Sequence, residues 1–114
     1  MNQQYEALFT PWKIGNVEIK NRIVMCPMGG TSLFGWFELG GCHFDKEAAK
    51  LFLERANNNV GLIIPGIAPL RDTFWGKWLW QNPKMFEDLK VFMDEIHKTG
   101  AKLFVQLTAG MGRS

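Results

Sequence analysis

The chain has 114 residues, of which 46% are hydrophobic and 21% charged, and its formal net charge is +2. This is the composition of a globular domain, and the charge is too small to indicate a nucleic-acid partner. No apolar run approaches the roughly 18 residues of a membrane span, and residues 1–8 lack a signal-peptide pattern. The two cysteines, Cys26 and Cys42, form neither a disulfide framework nor a metal-ligand cluster. We therefore expect a cytoplasmic protein with reduced thiols and no metal site.

The first elements are a short hairpin arm and a buried strand. Turn signals at residues 10–11 and 14–16 flank the alternating residues Val17–Ile19, which predicts the arm. The apolar run Ile23–Cys26 predicts the strand, which ends at Pro27 and is followed by Met28, Gly29 and Gly30. Such an ending brings bare backbone to the carboxyl edge of a sheet, where α/β folds bind ligands. An ordinary turn after a buried strand is the alternative, and spacing alone favours it.

A long loop, residues 29–41, carries Phe34, Trp36 and Phe37 among glycines. Its flexible backbone and apolar rings are suited to a lid or rim over a site. The alternative is that the rings pack on the next element, and the sequence favours neither interpretation.

A helix is predicted to begin after Asp45, which can cap its amino end. Apolar residues recur at helical spacing at Ala48, Ala49, Leu51, Phe52 and Ala56. The three asparagines 57–59 should end the helix, since Asn tolerates left-handed geometry. A second buried strand, Val60–Ile64, then stops at Pro65-Gly66, as the first strand stops at Pro27.

The second half of the chain repeats this pattern. A loop from Ala68 to Gln81 contains a Trp-rich stretch, Phe74–Trp80, which we expect on the same side of the sheet as Gly29-Gly30 and Gln106. A helix should run from Asn82-Pro83 to Gly100, with a core-facing stripe at Met85, Phe86, Leu89, Phe92, Met93 and Ile96. A third strand, Lys102–Leu107, carries Gln106 near its end.

Strands that alternate with helices predict an α/β fold with parallel strands. The long loops all follow strands and the helix-to-strand connections are short, which is typical of a (β/α)8 barrel. A full barrel takes about 250 residues. We therefore expect residues 1–114 to be an incomplete domain, the N-terminal part of a TIM barrel with about three strands and two helices.

Four segments in order resemble the Old Yellow Enzyme family of flavin oxidoreductases. The resemblance is nearest to its 2-enoate reductase and 2,4-dienoyl-CoA reductase branch and covers nearly the whole chain. The segments are Leu8-Phe9-Thr10-Pro11 with Ile14-Gly15, the first-strand run Lys20–Met28, the second-strand run Gly61–Pro69, and the third-strand run Val105–Arg113.

The resemblance implies an FMN site at the carboxyl ends of the strands. Pro27, Met28 and Gly29 match the segment that runs past the flavin ring and donates backbone hydrogen bonds. Gly66 matches the position that approaches the isoalloxazine, and Gln106 matches the glutamine at its pyrimidine edge. An amide offers the donors and the acceptor that this edge needs, whereas the alternative for Gln106 is a strand-end residue facing water.

The sequence departs from many family members at Gly29, where others have the Thr or Cys that tunes the flavin potential. Cys26 precedes the proline and is not that cysteine, so we expect it to be buried as a small hydrophobe. Many relatives also have His where Ala109 stands. His43 should be solvated or cap a helix, and His97 should lie near the carboxyl end of the second helix.

By the same resemblance, no catalytic residue lies in these residues, because the substrate-anchoring pair and the proton-donating Tyr belong to later strands. The expected activity is ene reduction: NADH or NADPH reduces FMN, which passes hydride to a small-molecule alkene such as an enoate or enoyl thioester. An iron–sulfur cluster and FAD could follow in a C-terminal part. The expected partner is a second copy or the remainder of the chain. The alternative is a stand-alone half-barrel-like module that assembles or binds without catalysis.

Overall fold

The computed structural model describes residues 3–28, 33–35, 42–71 and 78–109. Within these ranges the strands are short and the helices are longer. The strands are β1 Trp12–Ile14, β2 Val17–Ile19, β3 Val24–Met25, β4 Leu62–Ile63, β5 Ala68–Pro69, β6 Lys102–Leu103 and β7 Leu107–Thr108. The helices are α1 Lys46–Asn57 and α2 Pro83–Lys98, with 3-10 turns at Gln3–Phe9 and Leu79–Gln81.

A parallel sheet forms the centre of the fold and confirms the predicted α/β class. Its strand order is β3-β4-β6, and both pairings are parallel, with Met25 opposite Ile63 and Ile63 opposite Leu103. The helices α1 and α2 are the crossovers that parallel strands require. The predicted hairpin arm is also present, since β1 and β2 pair antiparallel. This is the architecture of the N-terminal part of a (β/α)8 barrel.

Both helices begin and end where their capping residues predict. The Asp45 carboxylate accepts hydrogen bonds from the backbone N–H groups of Glu47 and Ala48, each at 3.0 Å. Helix α1 is followed by Asn59 at φ 74°, the left-handed conformation that asparagine tolerates. Pro83 occupies the first turn of α2, and Gly100, at φ 83°, reverses the chain after it.

The core lies between the sheet and the two helices. Its buried members include Phe52 and Ala56 of α1, Ile63 of β4, and Phe92 and Ile96 of α2. The rings of Phe44 and Phe92 pack in a tilted arrangement with centroids 5.6 Å apart.

The predicted stripe of α2 is only partly correct. Met85, Phe92 and Ile96 are buried and Leu89 and Met93 pack against the core, but Phe86 is 45% exposed. A residue next to Met85 is turned by about 100° around the helix, which carries it to the margin of the apolar face.

The predicted third strand, Lys102–Leu107, is wrong in its extent. Only Lys102 and Leu103 pair with β4, whereas Leu107 and Thr108 leave the central sheet and pair with Ala68 and Pro69. The chain after Ile63 makes the same departure, so the second strand is likewise shorter than predicted. The 3-10 turn Gln3–Phe9, which the sequence analysis did not predict, is exposed throughout.

Asn21 joins the amino ends of β3 and β4. Its side chain is buried and donates from Nδ2 to the Asn59 carbonyl at 2.7 Å, while its Oδ1 accepts from the Ile23 N–H at 3.0 Å. Gly61 lies directly beneath it, because a Cβ built on Gly61 would be 2.2 Å from Oδ1. The amide therefore fills the space that the absence of a side chain at Gly61 creates.

The two residues beside Asn21 attach other segments to the same end of the sheet. Lys20 donates from Nζ to the Thr99 carbonyl at 2.8 Å, at the carboxyl end of α2. The Arg22 backbone N–H donates to the Leu8 carbonyl at 2.7 Å, and its side chain donates from Nε to the Thr10 carbonyl at 3.3 Å. The basic and amide side chains that precede β3 are therefore structural and lie at the end of the sheet opposite to the expected ligand site.

No helix in the described ranges is long and apolar enough to cross a membrane. Among the same residues, no group of three or more His, Cys, Asp or Glu side chains is placed to hold a metal ion.

Candidate functional site

The parallel register brings the endings of β3, β4 and β6 to one edge of the sheet. The Ile64 N–H donates to the Met25 carbonyl at 2.9 Å, and the Phe104 N–H donates to the Ile63 carbonyl at 3.0 Å. The segments that follow, beginning at Pro27, Pro65 and Val105, therefore start side by side. Three segments that are distant in the sequence therefore lie together at this edge. It is the edge at which (β/α)8 barrels bind their ligands.

A second, smaller ladder extends from this edge and connects two predicted site residues. The Ala68 N–H donates to the Gln106 carbonyl at 2.8 Å, two residues after Gly66, and β5 and β7 continue the pairing. Gly66 is buried, whereas the Gln106 side chain is exposed. The ladder thus fixes the position of Gln106 relative to the Gly66 turn and leaves its amide accessible.

The remaining candidates at the first strand are only partly described. Pro27 is half-buried and Met28 is 55% exposed, so an apolar side chain faces outward at this edge. Gly29, the third candidate of this segment, and its neighbour Gly30 lie outside the described residues. The same holds for Trp36 and Phe37 of the long loop.

Phe34 supports the packing alternative for its part of that loop. Its ring is 2% exposed, and it joins the core together with Leu33. The Asp45 N–H donates to the Leu33 carbonyl at 2.9 Å, which anchors this part of the loop to the start of α1. Phe34 is therefore a core residue rather than part of a lid.

The prediction that Cys26 is buried is wrong. Its side chain is exposed, and neither Cys26 nor the buried Cys42 forms a disulfide. The reason is the shortness of β3, which ends at Met25, and its position at the margin of the central sheet, where no described strand covers its outer side.

His43 neither caps α1, since Asp45 does so, nor stands free in solvent. It is half-buried, and its ring covers Gly35: a Cβ built on Gly35 would lie 2.4 Å from the His43 Cε1. His97 is exposed in the last turn of α2, where it was predicted.

The base of the Trp-rich loop is attached to the β5–β7 ladder. The Leu70 N–H donates to the Thr108 carbonyl at 3.0 Å, and the Leu79 N–H donates to the Leu70 carbonyl at 2.7 Å. Arg71 and Trp78 form an antiparallel bridge just beyond. The described part of the loop therefore lies beyond the carboxyl ends of β4 and β6, on the predicted side, while residues 74–77 fall outside the described ranges.

A groove of about 300 Å³ lies elsewhere, between α1 and α2. Phe44, Leu53 and Val91 form its apolar part, and Lys50 and Glu95 are among its charged residues. None of the predicted site residues is among the residues that line it. Barrels bind ligands at the ends of their strands, not between their outer helices. We therefore place the candidate site at the carboxyl edge.

The chemistry of that edge fits a flavin ring. An exposed amide at Gln106 can both donate to and accept from an imide edge. The buried Gly66 offers backbone without a side chain, which permits close approach of a flat ring, and the exposed Met28 offers a polarizable apolar surface. The described residues thus fit the ring of FMN.

The chain belongs to the NADH:flavin oxidoreductase / NADH oxidase family, whose model matches residues 7–114. Among curated relatives, it is 38% identical to a cinnamate reductase of Clostridium sporogenes over 99% of this chain and 17% of that protein. It is 28% identical to an N,N-dimethylglycine/sarcosine dehydrogenase of Chromohalobacter salexigens over 96% of this chain and 16% of that protein. The chain thus spans about a sixth of the length of these relatives.

Solved structures of an old yellow enzyme and of a 2-naphthoyl-CoA reductase share the fold of this chain. The old yellow enzyme of Trypanosoma cruzi superposes with a TM-score of 0.69 at 25% identity, covering 91% of this chain and 27% of that one. A 2-naphthoyl-CoA reductase in complex with 2-naphthoyl-CoA superposes with a TM-score of 0.68 at 21% identity, covering 90% and 16%. The predicted membership of an Old Yellow Enzyme-like family and the predicted fold, the N-terminal part of a barrel, are therefore confirmed.

Proposed function

We propose that the full-length protein is an FMN-dependent ene-reductase that takes electrons from NADH or NADPH. The observation that carries this proposal is the hydrogen bond between the Ala68 N–H and the Gln106 carbonyl at 2.8 Å. It holds together, at the carboxyl edge of a parallel sheet, the glycine turn and the exposed amide that a flavin ring needs. Family membership supports the identity of the cofactor.

The residues of this chain bind and orient, and the hydride chemistry is supplied by the cofactor when it is bound. The Gln106 amide would hydrogen-bond the pyrimidine edge, and the backbone of Pro27, Met28 and Gly29 would run past the ring. Gly66 would allow the ring to approach the second strand. The catalytic acid and the phosphate site would come from later strands of the barrel.

An α,β-unsaturated acid or thioester is the substrate class that we propose. The support is the 38% identity to a protein named cinnamate reductase, since cinnamate is an aryl-substituted enoate. We also propose, from the resemblance to the 2-enoate reductase and 2,4-dienoyl-CoA reductase branch, that an iron–sulfur cluster and FAD follow in a further domain, for which relatives about six times longer than this chain have room.

The visible spectrum of the purified full-length protein, recorded before and after denaturation, tests the proposal. We expect a flavin spectrum and release of FMN. Absence of FMN from protein produced with flavin in excess would refute the assignment.

The role of Gln106 is tested by Gln106→Leu in the same protein. Loss of a hydrogen-bond partner that the bound flavin would bury should weaken FMN binding by about 1–3 kcal/mol. Gln3→Leu, in the exposed 3-10 turn at the N-terminus, is the matched control. An unchanged FMN affinity in Gln106→Leu would show that its amide faces water.

A further inference from the structure

The base of the Trp-rich loop holds a cation against an aromatic ring. The guanidinium carbon of Arg71 lies 4.6 Å from the centroid of the Trp78 ring. A guanidinium at this distance from an indole is held by a cation–π interaction, and Arg commonly stacks on such rings. Stacking uses the face of the group and leaves the N–H donors at its edge available to an acceptor. Both residues are exposed.

The pair is anchored to the candidate site through backbone hydrogen bonds. The Gln106 carbonyl accepts from Ala68, the Thr108 carbonyl accepts from Leu70, and the Leu70 carbonyl accepts from Leu79. Arg71 follows Leu70 directly. Arg71 is three positions after Ala68, which at about 3.3 Å per extended residue places its backbone within roughly 10 Å of the ladder's start.

Trp78 is fixed from its own side as well. Its backbone N–H donates to the Gln81 Oε1 at 2.9 Å, and Asn82, at the start of α2, donates from Nδ2 to the Cys42 carbonyl at 2.8 Å. The backbone that carries the Trp78 ring is therefore held between the ladder and α2. A binding group on such a backbone loses less conformational entropy when it binds a ligand.

Arg71 is the cation of the segments that follow β3, β4 and β6, as far as the structure describes them. The other described Lys and Arg side chains belong to the hairpin arm, the amino end of the sheet, the helices or β6 itself. The ion pairs seen in these ranges connect residues within α1 or within α2 and do not involve Arg71.

We infer that Arg71, supported by Trp78, binds the carboxylate of an unsaturated acid substrate. This inference rests on the proposed function and adds a specificity-determining residue to it. A carboxylate activates an alkene poorly, because it is already negative and must accept more charge during the reaction. A guanidinium matches a carboxylate in a bidentate geometry and offsets that charge.

The carboxylate of the substrate would become more negative during such a reaction, and Arg71 would act at that stage. Bound reduced FMN would supply the hydride that forms the C–H bond at the β-carbon and would itself be oxidised, while the π electrons of the alkene would move toward the α-carbon and the carboxylate. The carboxylate oxygens would carry the additional negative charge until a proton from an acid on a later strand formed the second C–H bond at the α-carbon. The guanidinium interacts most strongly while the charge is highest, which lowers the barrier.

The test compares two probes in the full-length holoprotein: cinnamate, which is charged, and cinnamaldehyde, which has the same aryl alkene without the charge. For Arg71→Gln we expect kcat/KM for cinnamate to fall about 10- to 100-fold, equivalent to about 1.4–2.8 kcal/mol. For cinnamaldehyde we expect a change of less than about threefold. Arg71→Lys should recover part of the loss, because it keeps the charge and loses the bidentate fork.

A binding measurement supplements the kinetics. Cinnamate titrated into the oxidised holoprotein should perturb the visible flavin spectrum, and Arg71→Gln should raise its Kd about tenfold or more. Arg55→Gln is the matched control, since Arg55 is on α1 and pairs with Glu54. It should change neither the Kd nor the kinetics.

The outcomes separate this inference from the proposed function. If wild-type protein reduces cinnamaldehyde and Arg71→Gln handles cinnamate as well as wild type does, the inference is refuted and the proposed function stands. An equal loss on both probes also refutes it, because a charge-specific contact would not affect the aldehyde. If wild-type protein contains FMN but neither probe reoxidises its reduced flavin, ene reduction of aryl alkenes itself is refuted.

Discussion

Asn21 offers a sharp test of how the barrel segment is held together. Its buried amide makes two hydrogen bonds, to the Asn59 carbonyl at 2.7 Å and from the Ile23 N–H at 3.0 Å. Asn21→Ala removes both and leaves the partly buried Ile23 N–H without its acceptor. Each unsatisfied buried group costs about 1–3 kcal/mol, and the exposed Asn59 can recover part of its loss from water. We expect the free energy of unfolding to fall by about 2–4 kcal/mol.

The measurement is urea-induced unfolding of the full-length protein, followed by far-UV circular dichroism, with amide hydrogen exchange at Ile23 as the local readout. Exchange at Ile23 should accelerate in the variant, because its N–H loses its acceptor. Asn58→Ala is the control: the Asn58 amide also donates to a backbone carbonyl, that of Glu54, but at an exposed position. It should cost no more than about 0.5 kcal/mol.

A double-mutant cycle with Gly61 makes the test specific. A Cβ on Gly61 would lie 2.2 Å from the Asn21 Oδ1 and 2.9 Å from its Cγ, so Gly61→Ala must displace the amide. The cost of Gly61→Ala should therefore be smaller in the Asn21→Ala background, with a coupling energy of about 1–3 kcal/mol. Additive effects, or an Asn21→Ala variant as stable as the control, would refute the structural role that we give to this amide.

Two further contacts yield predictions of smaller size. Asp45→Ala removes the acceptor of two N–H groups at the start of α1 and should lower the unfolding free energy by about 1 kcal/mol, whereas Asp45→Asn, which keeps an acceptor, should cost less. Lys20→Met keeps the aliphatic stem but removes the donor to the Thr99 carbonyl at the end of α2, and should cost about 0.5–1 kcal/mol in urea unfolding; an unchanged midpoint would show that this bond contributes nothing.

The helices could be predicted from the sequence because their determinants are local. Asp45 caps α1, Pro83 opens α2 and Gly100 ends it, and each of these effects depends on a few neighbouring residues. The order of strands could be predicted for a similar reason, since strand–helix alternation allows few topologies. The fold class therefore followed from patterns that act over fewer than about 20 residues.

The ladder β5–β7 could not be predicted, because it depends on a contact between distant parts of the chain. Ala68-Pro69 has no strand pattern, and proline is disfavoured within a sheet. It is tolerated here because the ladder has only two strands, so the proline nitrogen can face away from the partner. The role of Asn21 was missed for the same reason, since nothing near it in the sequence reveals Asn59 or Gly61.

For the candidate site, the sequence pattern predicted only that its residues follow the ends of strands. Pro27, Gly66 and Gln106 each follow a strand, and their meeting at one edge was implied by parallel order. Their residue roles came from family resemblance and stay predictions. The Arg71–Trp78 contact was not predicted, and residues 68–81 were assigned to a loop. A cation–π contact between residues seven positions apart has no sequence signature.

The last prediction concerns residues 1–114 produced alone. The central sheet has the order β3-β4-β6, so among the described strands β3 and β6 each have one neighbour and one open side, and open strand edges recruit other chains. Several apolar side chains are also exposed, among them Val91 at 64% and Leu107 at 58%. Burial of these groups in a second copy, or in the remainder of the barrel, would offset part of the chain entropy that a core of this size barely overcomes. We therefore expect light scattering to show association of the isolated segment and no tight FMN binding. A monodisperse monomer with a cooperative melting transition would contradict this reasoning, because it would show that three strands and two helices suffice for a compact fold.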